Sequence, residues 1–466
     1  MRGLRASLIL TVLIVSMVIP TRGAVMKAGV AKVDITPPAG VQMWGYFDRL
    51  TGAQGTLDPL YARVLVLEVG EKRLALVDLD YGRTFGPAGI ERIRASARNS
   101  SGISYVLVQA THTHAGPVIM DEYASGAPAW ESAAIEKIGK AIEDAHARAV
   151  EARLGIGYGE TYIGYNRRRL NPDGTVTMFW RNQTHVPTAP VDPTVSVLRV
   201  DTSDGNPLAV LVNYSCHPVV FGPDNLQFSA DFPGVMTKTV EQAFGAAALR
   251  DKGPRYATPP LCFFLQGAPG DINVYDATTP LKEDAVGKRD WSGRHLGEEA
   301  ARVAKTIKTE TAAESSLEFV EDSLPFHLRW NQEKLQQGLV TAFGADFLKT
   351  FAPRIRANWD LPVATLLINK RVAVMTMPGE PFVDFQINWR DRCPLPDAFF
   401  LGYANGYYGY FPTMRAATEG GYGAAGATTW IEVGAGERMV DHALVRVYEL
   451  LGRLTDTPED LKGSGR

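Results

Sequence analysis

Histidine, aspartate, glutamate and tyrosine side chains follow five apolar runs of strand-like length in this sequence, each beside a proline or glycine. In open α/β sheets, ligands bind beyond the carboxyl ends of the strands, where loops hold functional groups on a rigid support. The runs and the residues that follow them are 105–108 with His112 and His114, 209–212 with His217, 261–265 with Asp271 and Asn273, 372–375 with Glu380, and 398–401 with Tyr407 and Tyr410. Any single run could be an ordinary strand-to-loop exit, but His112, His217 and Glu380 together indicate one site.

These residue types suit zinc. Imidazole nitrogens and carboxylate oxygens are usual zinc ligands, and a catalytic zinc site keeps one position open for water. His112 and His114 are two positions apart, so in an extended chain both rings would project from the same face. One ring could then bind metal while the other holds substrate. The remaining histidines lie in helical or polar contexts and are interpreted as structural or solvent-facing: His146, His185, His295, His327 and His442.

The segments that would position these residues alternate between strand and helix patterns, which is typical of an α/β fold. Apolar alternation at 60–69 and 73–80, on either side of Gly70, predicts a β-hairpin. Apolar residues at helical spacing predict a helix over about 132–150. Asp231, followed by phenylalanine and proline, predicts a helix start, because aspartate caps helices and proline is tolerated in the first turn.

Two further helices are predicted at 296–307 and 438–454. Between the first of these and the next strand pattern, the polar segment 308–316 is the best candidate for a linker between two domains. It does not separate two functions, because candidate site residues fall on both sides of it.

The composition is ordinary for a globular protein. The chain has 466 residues, 48 Lys and Arg against 51 Asp and Glu, and a net charge of -3, with 45% apolar and 21% charged residues. These values exclude a disordered chain and a multi-span membrane protein, and the charge balance argues against a nucleic-acid partner. We interpret Cys216, Cys262 and Cys393 as buried thiols, with one disulfide still open as an alternative.

The first residues have the pattern of a secretory signal peptide. Arg2 and Arg5 precede the apolar run 6–20, and small residues suited to cleavage follow near Gly23 and Ala24. We therefore expect residues 1–24 to be removed and the protein to be secreted or periplasmic. An uncleaved anchor is the alternative. The last residues, 456–466, are polar and are expected to form a frayed tail.

Several short motifs together resemble the neutral/alkaline, non-lysosomal ceramidase family. No one of them is decisive, but their order and number make chance implausible. They are GVAKVDITPP at 29–38, LYAR at 60–63, THTHAGP at 111–117, YNR at 165–167, VDP at 191–193, GD at 270–271, PGE at 378–380 and ANGY at 404–407, with Tyr410 and Tyr422 beyond.

The resemblance implies a fold and a site. It implies mixed β-sheets packed together with flanking helices, in one catalytic domain over 25–455. It also implies one zinc ion held by two His, one Glu and one Tyr, which correspond here to His112, His217, Glu380 and Tyr410. His114 is implied in holding the substrate carbonyl, and Arg167 and Tyr422 match a site arginine and a second site tyrosine.

One position departs from the family. Where the family has the serine assigned as nucleophile, this chain has Asn273. An amide has no ionisable hydroxyl and cannot form an acyl intermediate by the usual route. It could still donate a hydrogen bond to an oxyanion.

Three interpretations remain open from the sequence. The first is a secreted zinc amidohydrolase that acts on an N-acyl lipid through an activated water, with contact to a membrane surface to reach that lipid. The second keeps the zinc but changes the substrate to an ester or another amide. The third is a secreted binding protein that lost catalysis together with its serine. The sequence leaves the oligomeric state open.

Overall fold

The computed structural model describes residues 24–251, 260–345, 355–455 and 457–458. The predicted signal peptide 1–24 therefore lies outside the described residues except for its last position, and so does the predicted tail 456–466 except for 457–458. The strands are β1 Lys27–Asp34, β2 Gly55–Thr56, β3 Tyr61–Val69, β4 Lys72–Leu79, β5 Tyr105–Ala110, β6 Val150–Glu160, β7 Gly164–Asn166, β8 Arg168–Leu170, β9 Val176–Met178, β10 Thr194–Thr202, β11 Pro207–Tyr214, β12 Gln227–Phe228, β13 Leu261–Gln266, β14 Ile272–Val274, β15 Leu317–His327, β16 Asn358–Ile368, β17 Val372–Thr376, β18 Glu380–Pro381, β19 Asp397–Leu401 and β20 Tyr410–Phe411.

Helices cover the outer faces of two large sheets. The helices are α1 Pro87–Ser101, α2 Ala129–Ala147, α3 Asp231–Asp251, α4 Ala285–Thr306, α5 Gln332–Phe343, α6 Val383–Arg392, α7 Met414–Glu419 and α8 Ala435–Leu450. Within the described residues, none of these helices combines the length and the apolar character needed to cross a bilayer.

The architecture has four layers, in the order helix, sheet, sheet, helix. The larger sheet has the strand order β13-β11-β10-β6-β1-β3-β4-β5, and the smaller has the order β15-β16-β17-β19. Leucines and phenylalanines of both sheets form one apolar core between them. Helices α1 to α4 pack on the outer face of the larger sheet, and α6 and α8 pack on the smaller one. The expected α/β fold with mixed, packed sheets is confirmed.

Strand β3 shows why the sequence folds in layers. Ala62, Val64 and Val66 pack against the helices, while Leu65 and Leu67 belong to the core between the sheets. Because successive strand residues point to opposite faces, a strand buried on both sides must be apolar almost throughout. The side chains still alternate between the two faces, but the sequence shows a continuous apolar run instead of an alternation of apolar and polar residues.

Polar side chains connect the two edges of the larger sheet. Gln109 Nε2 on β5 donates to the Phe264 carbonyl on β13 at 3.2 Å. Gln266 Nε2, at the end of β13, donates to the Thr111 carbonyl at 3.0 Å and to the Cys216 carbonyl at 2.9 Å. These bonds place the carboxyl end of β5 beside the carboxyl ends of β11 and β13, although β5 and β13 are opposite edges in strand order.

The local predictions agree with the structure. Strands β3 and β4 form an antiparallel hairpin in which Gly70 has φ 59. The helix expected at 132–150 is α2, and α3 begins at Asp231 as expected. All three cysteines are free, so the alternative of a disulfide is wrong. The candidate linker 308–316 lies between α4 and β15, where the chain passes from the larger to the smaller sheet, and the two sheets share one core.

A buried ion pair provides a test of the layer between β3, β4 and α3. Arg63 and Asp80 lie 2.8 Å apart with side chains 2% and 1% exposed, and Arg63 also donates to Thr237 of α3. Asp80→Asn leaves the guanidinium buried without its counter-charge, so we expect the free energy of unfolding in urea to fall by about 3–5 kcal/mol. Asp144→Asn, which breaks a surface pair with Lys140, is the control and should leave the midpoint unchanged. Equal midpoints for both variants would contradict this assignment.

Candidate functional site

Four of the predicted residues meet in direct contact between the ends of the two sheets. Oε2 of Glu380 lies 3.0 Å from Nε2 of His217 and 3.4 Å from Nε2 of His112. Nε2 of His114 lies 3.2 Å from Nε2 of His112. His112, His217 and Glu380 are buried. The expected convergence of His112, His217 and Glu380 is therefore confirmed.

The His-x-His pair meets for a different reason from the one expected. In an extended chain both rings would project from the same face, but His112 has φ 70, so the backbone at this residue has a left-handed conformation. The two rings approach edge to face, with centroids 4.8 Å apart. A residue other than glycine is uncommon in the left-handed region of backbone conformation. Such a residue often marks a site where surrounding contacts hold the backbone in place.

Backbone pairing places the other residues in register. Strand β18 pairs in parallel with β20 so that Glu380 is opposite Tyr410. A single parallel bridge places His217 opposite Asn273. The ring of Tyr410 stacks at 6.4 Å from the ring of His217. Two short pairings therefore set four site residues side by side.

Hydrogen bonds fix which nitrogen each imidazole presents. Nδ1 of His112 lies 2.6 Å from the Gly82 carbonyl, and Nδ1 of His217 lies 2.6 Å from the Pro269 carbonyl. A carbonyl can only accept, so each ring donates from Nδ1 and directs Nε2 toward Glu380. This is the arrangement in which outer hydrogen bonds orient imidazoles for a metal.

The charge states also suit a metal. Burial lowers the pKa of His217 to about 4 and lowers the pKa of His114 well below its usual range. Burial tends to raise the pKa of Glu380, but the facing imidazoles of His112 and His217 hold it well below its usual range. Neutral imidazoles and an ionised carboxylate are the forms that ligate metal ions.

His114 offers a further donor. The ligand atoms of His112, His114 and His217 lie within 4.8 Å of one another, so this group could hold a metal ion. Nδ1 of His114 is buried and has no hydrogen-bond partner among the described residues. A buried polar atom left in this state is costly unless a ligand or substrate satisfies it.

Arg167 holds Tyr410 and Asn273 at the site. Its Nη2 donates to the Tyr410 hydroxyl at 3.1 Å, and its Nη1 donates to Oδ1 of Asn273 at 3.1 Å. The guanidinium also lies 5.2 Å from the ring centroid of Tyr422, at the edge of the site. The carbonyl oxygen of Asn273 is therefore already engaged, which distinguishes it from a free side chain aimed at substrate.

Sequence reasoning missed Tyr403 and named Tyr407 only as a residue that follows an apolar run, but both tyrosines contact Glu380. The Tyr407 hydroxyl donates to Oε1 at 2.5 Å and the Tyr403 hydroxyl donates to Oε2 at 3.2 Å. The available signal was the unusual density of tyrosines in 403–410. The carbonyls of Gly82 and Pro269 had no signal of their own, because every residue carries a carbonyl.

Arg49, also missed, fixes the loop beside His114. Its guanidinium donates to the carbonyls of Trp44, His114 and Gly222. Gly45, with φ 107, lies so close that a Cβ there would be 2.5 Å from the His114 ring. The loop is thus held tightly against the site by a buried cation.

Comparisons with known proteins agree with this geometry. The family profile "Neutral/alkaline non-lysosomal ceramidase, N-terminal" matches residues 26–277. The neutral ceramidase of Mycobacterium tuberculosis is 26% identical over 289 residues, which are 57% of this chain and 43% of that protein. The neutral ceramidase of Pseudomonas aeruginosa is 29% identical over 192 residues, which are 37% of this chain and 29% of that protein. The matched region thus spans less than half the length of these curated relatives.

Solved structures show the same fold. A ceramidase complexed with C2 superposes with a TM-score of 0.73 at 19% identity, covering 93% of this chain and 76% of that one. A neutral ceramidase from Pseudomonas aeruginosa superposes with a TM-score of 0.71 at 20% identity, again covering 93% and 76%.

Metal content tests whether the imidazole group is a metal site. His217→Ala removes one buried nitrogen donor, so we expect the purified variant to retain less than about a tenth of the divalent metal of the unsubstituted protein, measured by elemental mass spectrometry. His295→Ala is the matched control, because His295 is exposed and stacks on Trp291 away from the site. Equal metal content in both variants would refute the assignment.

Proposed function

Since the chain belongs to the neutral/alkaline non-lysosomal ceramidase family, we propose that it is a secreted, zinc-dependent amidohydrolase that cleaves the N-acyl amide bond of a ceramide-like lipid. The observation that carries this proposal is the position of Glu380 Oε2, which faces the Nε2 atoms of His112 and His217. Nitrogen and carboxylate donors buried in the correct charge states are what zinc requires.

The proposed ligands are His112, His217, Glu380 and Tyr410. Zinc bound there would supply an activated water near neutral pH, because it lowers the pKa of that water to about 7. Strand pairing places Tyr410 opposite Glu380, and a hydrogen bond from Arg167 fixes the position of its hydroxyl. The fit rests on the donor set, since no ion is part of the structure.

The remaining residues would act on the substrate. A water oxygen attacks the amide carbonyl, the C–N bond breaks, and the leaving amine takes up a proton. Nδ1 of His114 has no hydrogen-bond partner among the described residues, so His114 would hold the carbonyl oxygen and pass to the amine the proton that the attacking water gives up. Tyr422 would support the oxyanion from the edge of the site. Arg167 would hold Tyr410 and Asn273 in place.

Asn273 favours water as the nucleophile. Its carbonyl oxygen accepts from Arg167, and an amide cannot take over the role of a serine hydroxyl. The same residue supports the second candidate, a binding protein without turnover. Catalytic measurements separate the two.

The loop fixed by Arg49 supports contact with a lipid surface. Phe47 and Leu50 on this loop are 77% and 89% exposed, although the loop itself is anchored beside His114. Large apolar side chains exposed on an anchored loop are suited to insertion between lipids, where their transfer from water is favourable. A membrane-bound substrate would then be presented next to the site.

Vesicle binding tests this contact. We expect the double substitution Phe47→Ser with Leu50→Ser to weaken binding to phosphatidylcholine vesicles at least tenfold in flotation assays, because it removes the apolar side chains that would enter the bilayer. Val445→Ser, which alters a 46% exposed residue on α8, is the control and should bind like the unsubstituted protein. Equal binding by all three proteins would exclude this surface.

Turnover tests the reaction. The purified protein should release fatty acid from ceramide or short N-acyl amines, and His217→Ala should lose this activity by a factor of about 10³ or more. Asn273→Ala should lose no more than about 10²–10³-fold, the effect of one oxyanion donor. Intact mass spectrometry during turnover should show no acyl adduct on the protein. Metal binding without turnover on any acyl substrate would instead support the binding protein.

A further inference from the structure

The Glu380 carboxylate has a hydroxyl donor on each oxygen. Oε1 accepts from the Tyr407 hydroxyl at 2.5 Å, and Oε2 accepts from the Tyr403 hydroxyl at 3.2 Å. Oε2 also faces the imidazole nitrogens, at 3.4 Å from Nε2 of His112 and 3.0 Å from Nε2 of His217. The two oxygens are therefore in different environments before any ligand binds.

The backbone around these tyrosines is tied to the turn that carries Glu380. The amide of Tyr403 donates to the Gly379 carbonyl at 3.0 Å, and the amide of Tyr408 donates to the Pro378 carbonyl at 2.9 Å. Tyr403 has φ 51, a left-handed conformation that is strained for a bulky residue. Such strain persists only where the surroundings hold the residue in place.

Ring contacts also hold the side chains of Tyr403 and Tyr407 in place. The Tyr403 ring stacks on His112 with centroids 4.0 Å apart. The Tyr407 ring meets Trp44 edge to face at 5.1 Å. Each tyrosine thus joins the carboxylate to a neighbouring wall of the site, and neither ring can turn away without losing packing.

We propose that Tyr403 and Tyr407 are positioning residues that hold Glu380 so that Oε2 is its metal-directed atom and Oε1 is kept from the metal. This inference rests on the proposed zinc site and names residues outside its ligand set. Tyr407 makes the shorter bond and occupies Oε1 alone, so it has the larger effect. Tyr403 shares Oε2 and orients both the carboxylate and the His112 ring.

The physical reason is the freedom of a carboxylate to rotate about its last bond. Without the Tyr407 hydrogen bond, both oxygens can turn toward the imidazoles, and the donor geometry is no longer fixed before binding. Hydrogen bonds to a charged group are among the stronger ones in proteins. Loss of such an outer partner typically lowers metal affinity 10–100-fold.

Zinc affinity measured by chelator competition tests the inference. We expect Tyr407→Phe, which keeps the ring and removes the hydroxyl, to raise the Kd for zinc about 10–100-fold. Tyr403→Phe should change it in the same direction by less, and it provides a second test if Tyr407→Phe fails to fold. Tyr408→Phe is the matched control, because Tyr408 packs against Trp359 and not against Glu380.

A second measurement separates positioning from a general loss of structure. Cobalt substituted into the site should give a changed visible absorption spectrum in Tyr407→Phe and an unchanged one in Tyr408→Phe, while the circular dichroism spectra of the metal-free proteins remain the same. Identical zinc affinities in the unsubstituted protein, Tyr407→Phe and Tyr403→Phe would overturn the inference alone. An unsubstituted protein that takes up no zinc would overturn the proposed function together with it.

Discussion

The side chain of Gln266 is the constraint on which the site depends. Its amide nitrogen donates to the carbonyls of Thr111 and Cys216, and its oxygen accepts from the Cys216 amide. These two residues directly precede His112 and His217. One buried amide at the end of β13 therefore joins the segments that follow β5 and β11 and deliver both imidazoles. Both polar atoms of this side chain are therefore hydrogen-bonded, which makes the burial of a polar side chain tolerable.

Much of the fold could be predicted from local pattern. The hairpin around Gly70 and the start of α3 at Asp231 follow from turn and capping chemistry, which acts over a few residues. The meeting of His112, His217 and Glu380 could be predicted from residue type and from their positions after apolar runs. The approach of β5 to β13 could not, because it depends on Gln109 and Gln266, and a glutamine in an apolar run has many other uses.

The residues that could donate ligand atoms were predictable from the sequence. The residues that hold those side chains in position were not. The family resemblance supplied Tyr410, Arg167 and Tyr422, and the structure places all three around one side of the centre. Tyr403 and Tyr407 belong to a conspicuous aromatic segment, yet their hydrogen bonds to Glu380 depend on a left-handed backbone at Tyr403. Conformations of that kind are set by tertiary contacts and leave no mark in composition or periodicity.

The chain passes from the larger sheet to the smaller one at 308–316. This passage divides the residues of the candidate site between two parts of the polypeptide. All three imidazoles precede this crossing, and the carboxylate and the phenol of Tyr410 follow it. During synthesis, the first part would leave the ribosome with its nitrogen donors but without the oxygen donors that complete them. An ion held by both parts would link the two sheets. It would stabilise their docking by an amount that grows with the logarithm of the ratio of its concentration to its dissociation constant. The docking of the two sheets and the binding of the ion would then be thermodynamically linked, so that each favours the other.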